Sequence, residues 1–170
     1  MRNIGLCVED TVAAANACRF AAENIWKPGD IFHLIYVVKS LKPPMEVFHQ
    51  VAGTSYSFSQ PGRHHEEEKI SAAKRAIEKR FLPVLSETTE VRREPVSYQF
   101  HLFAEKHDAK PDTIGKTLLK CVGDVGCDML VICSHNWDED PNATVDRFEG
   151  HVGRVAQYVM DHCSVPLCIT

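Results

Sequence analysis

Short apolar runs alternate with amphipathic stretches along the whole chain. Residues 4–8 form the first run, and Thr11 then stands where an N-cap belongs. Behind it Ala14, Ala15, Cys18, Ala21, Ala22 and Ile25 recur at helical spacing. Lys27-Pro28-Gly29-Asp30 breaks that helix, and the β-branched and aromatic run 31–38 predicts a second strand. Residues 39–63 hold prolines, glycines and serines without a sustained period, so a structureless loop is expected there.

Ile70, Ala73, Ile77, Phe81 and Leu85 share one face of a helix predicted over 66–85, with Pro83 expected to kink its last turn. Residues 96–102 predict a third strand. Pro111-Asp112-Thr113 then opens a helix carrying Ile114, Leu118, Cys121, Val122 and Val125, loosened at its end by Gly123 and Gly126. A strand over 128–133, a helix opening near Gly153-Arg154 and a closing strand over 165–169 complete the pattern. Near-continuous apolar strands separated by helices imply an open five-stranded parallel sheet with four helices on both faces.

Composition fits one domain over 1–170. The chain has 170 residues, 44% of them hydrophobic, and no stretch that reads as a linker. Its 23 acidic and 19 basic residues leave a formal charge of −4, which argues against binding nucleic acid by bulk charge. The seven cysteines form no C-x-x-C pair and read as buried small hydrophobes. With no leader-like segment at Met1 and no apolar run of membrane-spanning length, a cytosolic place without a membrane partner is expected.

The richest chemistry lies at the end of the strand Cys127-Asp128-Met129-Leu130-Val131-Ile132-Cys133, which runs into Ser134-His135-Asn136 and then, after a loop, a helix N-terminus at Gly153. Such a junction presents backbone N–H groups to an anion, so a phosphate site is the first hypothesis. Asp138, Glu139, Asp140 and Asp146 oppose it with negative charge, against Arg147 and Arg154. His33, His135 and the pair His64-His65 have no partners at metal-ligand or triad spacing, and no nucleophile motif is present. No catalytic residue is assigned, and evolved catalysis is not expected.

Four segments together resemble the universal stress protein family over essentially the whole chain. Cys7-Val8-Glu9-Asp10-Thr11 resembles its first strand end, V-D-x-S, and Asp30-Ile31-Phe32-His33-Leu34-Ile35-Tyr36-Val37-Val38 its second strand, D-x-L-x-L-L-H-V-V. Cys127 to Asn136 is similar to A-D-L-I-V-x-G-S-H-G. Gly153-Arg154-Val155 through to Leu167 is similar to G-S-V-S-x-x-V-x-x-x-A-x-C-P-V-L. The resemblance implies a Rossmann-like, adenine nucleotide alpha hydrolase-like fold and a stress-response regulator.

It further implies an adenine-nucleotide pocket, for ATP, ADP or AMP, made by Glu9, its neighbour Asp10, Val37, Ser134, His135, Asn136, Gly153, Arg154 and Val155, with Mg²⁺ only alongside nucleotide. In the family's G-x2-G-x9-G-[S/T] pattern, however, the first two glycine positions are Cys133 and Asn136, and the final hydroxyl position is Arg154. The stretch from Asn136 to Gly153 also exceeds nine residues. Cys133 brings a Cβ to a point where a ligand approaches the backbone, which weighs against triphosphate. A dimerising interaction module with a vestigial pocket is therefore the alternative, engaging a protein partner through the 39–63 loop or the 137–147 insertion. A low-activity nucleotidase ranks below both. A homodimer through the C-terminal strand is expected under either of the first two readings, with 39–63 the segment most open to proteolysis.

Overall fold

The structure is a computed structural model that describes residues 1–40, 45–50, 64–106, 108–134 and 152–170. The elements run β1 (Asn3–Cys7), α1 (Val12–Asn24), β2 (Ile31–Ser40), β3 (Met45–Gln50), α2 (His64–Arg92), β4 (Ser97–Lys106), α3 (Pro111–Val125), β5 (Met129–Ile132), α4 (Arg154–His162) and β6 (Leu167–Ile169). They build one sheet of order β3-β4-β2-β1-β5-β6. β4, β2, β1, β5 and β6 are mutually parallel, the five-stranded sheet the apolar runs imply.

Alternation along each strand sorts side chains between two cores. Ile4, Leu6, Val8, Phe32, Leu34, Phe100, Leu102 and Val131 meet Ala14, Cys18 and Ala21 of α1 and Ile77 and Phe81 of α2. Cys7, Ile35, Leu130 and Ile132 face the other way, onto Ile114, Leu118 and Val122 of α3 and Ala156 and Val159 of α4. The first two helices therefore cover one face and the last two the other. The small side chains of α1 let that helix lie close to the sheet, and Thr11 caps it, its side chain accepting from the Ala14 N–H at 3.2 Å. Pro111 opens α3, and Gly126, at φ 69°, closes it in a left-handed turn.

Three local readings change. β3 lies inside the stretch expected to be structureless, pairing antiparallel with the outer edge of β4. A lone edge strand requires only an open ladder beside it, which periodicity does not reveal. Helix α2 begins at His64 and passes Pro83 to reach Arg92. Val84, Leu85 and Thr88 are buried beyond the proline, and this packing holds the helix together where a local rule ends it. β4 runs on to Lys106 because β2 offers partners as far as Ser40. Of the 39–63 segment, Lys39 and Ser40 belong to β2, while residues 41–44 and 51–63, and the 137–147 insertion, lie outside the described residues.

His33 sits mid-strand beside Gly5 rather than at the strand ends. Its Nδ1 is 2.9 Å from Nε2 of His101, and its Nε2 is 3.3 Å from Asn3 Oδ1. It is a hydrogen-bonded core histidine. At the opposite end of the sheet from the strand tips, Asp30 joins the start of β2 to Arg2, accepting from its backbone N–H at 2.9 Å and its Nε at 3.0 Å.

Candidate functional site

From β1 the chain moves sideways to β2 and β4, then crosses back over β1 to β5 and β6. Connections thus leave β1 and β5 in opposite directions, and a crevice opens beyond their C-terminal ends, the position at which open α/β sheets bind ligands. One flank of it is raised. β2 and β4 each run for 10 residues, whereas β1 has 5 and β5 has 4.

The residues after β1 diverge. Val8 N–H continues the ladder to Ile35 O at 2.9 Å, and Thr11 N–H turns back to Glu9 O at 2.8 Å. Across that turn Asp10 is engaged by α2, its Oδ1 accepting from Arg80 Nε at 2.6 Å. Glu9 acts on the other side. Burial first and the Glu9 carboxylate second push the Cys133 thiol up to about 11. Burial, then Cys133, then Glu9 raise Cys7 well above the ordinary thiol range. Glu9, half-buried, thus lies close enough to Cys133 and Cys7 to raise both thiols, whereas Asp10 is engaged by α2. The resemblance implied Glu9 at the pocket, with Asp10 as its neighbour.

At the end of β5, Ser134 N–H donates to Thr170 O at 2.8 Å and Ser134 O accepts from Gly153 N–H at 2.8 Å. That second bond seats the start of α4 on the tip of β5. A Cβ at Gly153 would lie 3.2 Å from Ser134 O, so close approach rather than an unusual φ calls for glycine. Gly153 is the N-cap of α4 and brings no capping side chain, which leaves the helix's first N–H groups for a ligand or solvent. Arg154 is exposed at the first helical position, and Val155 packs on the core shared with α3. Val37, half-buried, packs on the same core. His135 and Asn136 lie outside the described residues. Among the described residues no group of three or more His, Cys, Asp or Glu is placed to hold a metal ion.

Glu9, Ser134, Gly153 and Arg154 therefore gather at the ends of β1 and β5, while Val37 lies on β2. Arg80 is the addition. No signal in the sequence pointed to it, because its partner lies 70 positions away.

No family model matches the chain, and no curated protein matches it by sequence. Solved structures do. Universal stress protein UspA from Lactobacillus plantarum matches 99% of this chain and 96% of its own at TM-score 0.59 and 13% identity. The universal stress protein from Archaeoglobus fulgidus matches 99% and 93% at TM-score 0.53 and 18% identity. The chain has the universal stress protein fold. A universal stress protein family member from Arabidopsis thaliana, solved with AMP bound, matches 99% of this chain and 90% of its own at TM-score 0.50 and 12% identity. Identities this low speak for a shared universal stress protein fold and leave the ligand to the crevice residues.

At the end of β5, Cys133 is a half-buried thiol with its proton firmly held. Such a thiol is a poor nucleophile, and its side chain packs against the core that the sheet shares with α1 and α2.

Proposed function

We propose that this is a divergent universal stress protein that binds an adenine nucleotide by its nucleoside end and acts as a cytosolic regulator. The observation that carries the reading is the hydrogen bond from Gly153 N–H to Ser134 O, which seats a helix N-terminus on the tip of β5 at the strand-order reversal. Glu9 accepts from ribose or adenine, the backbone near Val37 meets the ring, and the α4 N-terminus with Arg154 faces the first phosphate. Cys133 disfavours a longer polyphosphate, and Mg²⁺ joins only with nucleotide. The AMP-bound plant protein of the same fold supports this choice of ligand class. Among the described residues no helix is long and apolar enough to cross a membrane. No residue is given a catalytic role.

Thermal unfolding in the presence of AMP, ADP and ATP, with and without Mg²⁺, tests the reading. A ligand that binds only the native state stabilises it by about 2.7 kcal/mol at about 100 times its Kd. AMP is expected to raise the midpoint at least as far as ATP. Gly153→Val should abolish the shift, since its Cβ meets Ser134 O. No shift with any nucleotide at millimolar concentration would overturn nucleotide binding.

The Cys133 side chain at the strand tip favours a second reading, a dimerising interaction module with a vestigial pocket. Removing that bulk separates the two. Cys133→Gly together with Asn136→Gly should tighten ATP more than AMP if the pocket is in use, and create no binding if it is a relic.

A further inference from the structure

We propose that Arg80 is a further ligand-binding residue of the crevice: its guanidinium is held at the mouth by Asp10 and meets the phosphate of a nucleoside monophosphate. The proposal rests on the nucleotide reading above and adds to it a residue from α2, an element that reading does not use.

Position comes first. Helix α2 is tied along α1 by Arg92 Nη2 donating to Glu23 O near the end of α1, by the Arg19–Glu87 ion pair, and by Arg80 Nε donating to Asp10 just before the start of α1. Arg80 is thereby level with the C-terminal tip of β1, on the flank of the crevice opposite α4. The second point is valence. Arginine carries five N–H donors in a planar fork. Here Nε alone is engaged, and among the described residues the two terminal amino groups have no partner. A guanidinium satisfied by its carboxylate would present two parallel bonds. This one keeps its phosphate-binding edge open.

Charge supplies the third point. The end of helix α4 offers an anion only about half an elementary charge. A phosphate in the crevice therefore gains from a full cation, and Arg80 complements Arg154 from the other helical layer. As a mere tether the pair explains little. Its side chains are 32% and 48% exposed, and an ion pair that open to water stabilises a fold by about 0–1 kcal/mol. Substitutions there are thus expected to leave the chain folded.

Calorimetric titration of the full chain with AMP and with adenosine tests the assignment. Arg80→Gln should weaken AMP about tenfold, the loss of one charge-assisted contact, and leave adenosine unchanged. Arg80→Lys should recover part of that loss, having the charge without the fork. Asp10→Ala removes the acceptor and with it the tether, yet it frees the guanidinium and should tighten AMP. Equal weakening of AMP by Arg80→Gln and Asp10→Ala would show that only the tether matters and would overturn the proposal. So would an Arg80→Gln variant that binds AMP as before. If the unaltered chain binds neither AMP nor adenosine, the nucleotide reading falls and takes this one with it. Adenosine binding without any effect at Arg80 removes this proposal alone.

Discussion

The contact between His33 and His101, both nearly inaccessible to water, fixes which nitrogens carry protons. Asn3 Oδ1 can only accept, so His33 Nε2 donates to it and His33 Nδ1 accepts from His101. Burial lowers the pKa of His33 below its ordinary value of 6.5. The unfolded chain therefore takes up this proton first as pH falls. The stabilising contribution is complete above the unfolded pKa and drains away as pH drops through it towards the folded value. Urea unfolding at about pH 7.5 and about pH 5.5, on either side of the ordinary histidine value, should show lower stability at the lower pH, and His33→Gln should flatten the difference. Asp30 behaves in the opposite sense. Burial pushes its carboxyl up, but hydrogen bonds from the Arg2 side chain and from the Arg2 and Lys27 N–H groups outweigh burial and hold it below its usual range. Its contribution is present at neutral pH and lost as pH falls through that lowered value. Arg2→Gln should cost about 2 kcal/mol in urea unfolding at neutral pH, the worth of hydrogen bonds to a charged group.

Between elements, glycines with different surroundings separate packing from propensity. Gly115 of α3 lies under α4, and a Cβ there would overlap Cδ1 of the Tyr158 ring and crowd its Cγ and Cβ. Tyr158 is itself stacked on His162, with ring centroids 4.1 Å apart. Gly115→Ala should therefore destabilise the chain by about 1–3 kcal/mol despite the better helix propensity of alanine. Gly123 lies in the same helix, and a Cβ added to it would meet nothing within 4 Å. Gly123→Ala should stabilise by about 0.5–1 kcal/mol. Opposite shifts of the unfolding midpoint for the two variants are the expected result, and equal shifts would mean that α3 and α4 pack less closely. Helix α2 illustrates the same competition. Pro83 removes one N–H and crowds the preceding turn, yet the buried residues beyond it keep the helix running.

At the scale of the whole molecule the sheet has unlike edges. β3 closes one side antiparallel to β4, and β6, a strand of 3 residues, forms the other. Leu167 and Ile169 are only half-buried there. An apolar edge strand invites its twin across a two-fold axis, so we propose a homodimer through β6. Sedimentation at micromolar concentration should find a dimer that deletion of residues 165–170 disrupts. A monomer in both cases would remove the proposal. Such an interface lies beside the seat of α4, because Ser134 bonds both to Thr170 and to Gly153. Occupancy of the crevice and pairing of the edges thus share one residue.

Features that short-range interactions decide were legible in the order of residues. Thr11 caps α1 three residues from the N–H it serves, Pro111 and Gly126 bound α3, and β-branched runs mark the inner strands. The succession of those elements was enough to imply the parallel sheet, and the glycine at 153 was enough to mark the start of α4. Folding in three dimensions decided what depends on neighbours distant in the chain. It put Arg80 on Asp10 across 70 positions and His33 on His101 across 68. It paired the edge strand β3 with β4 and carried α2 past its proline. Periodicity and capping are properties of a segment, whereas each of these is a property of two segments brought together by folding.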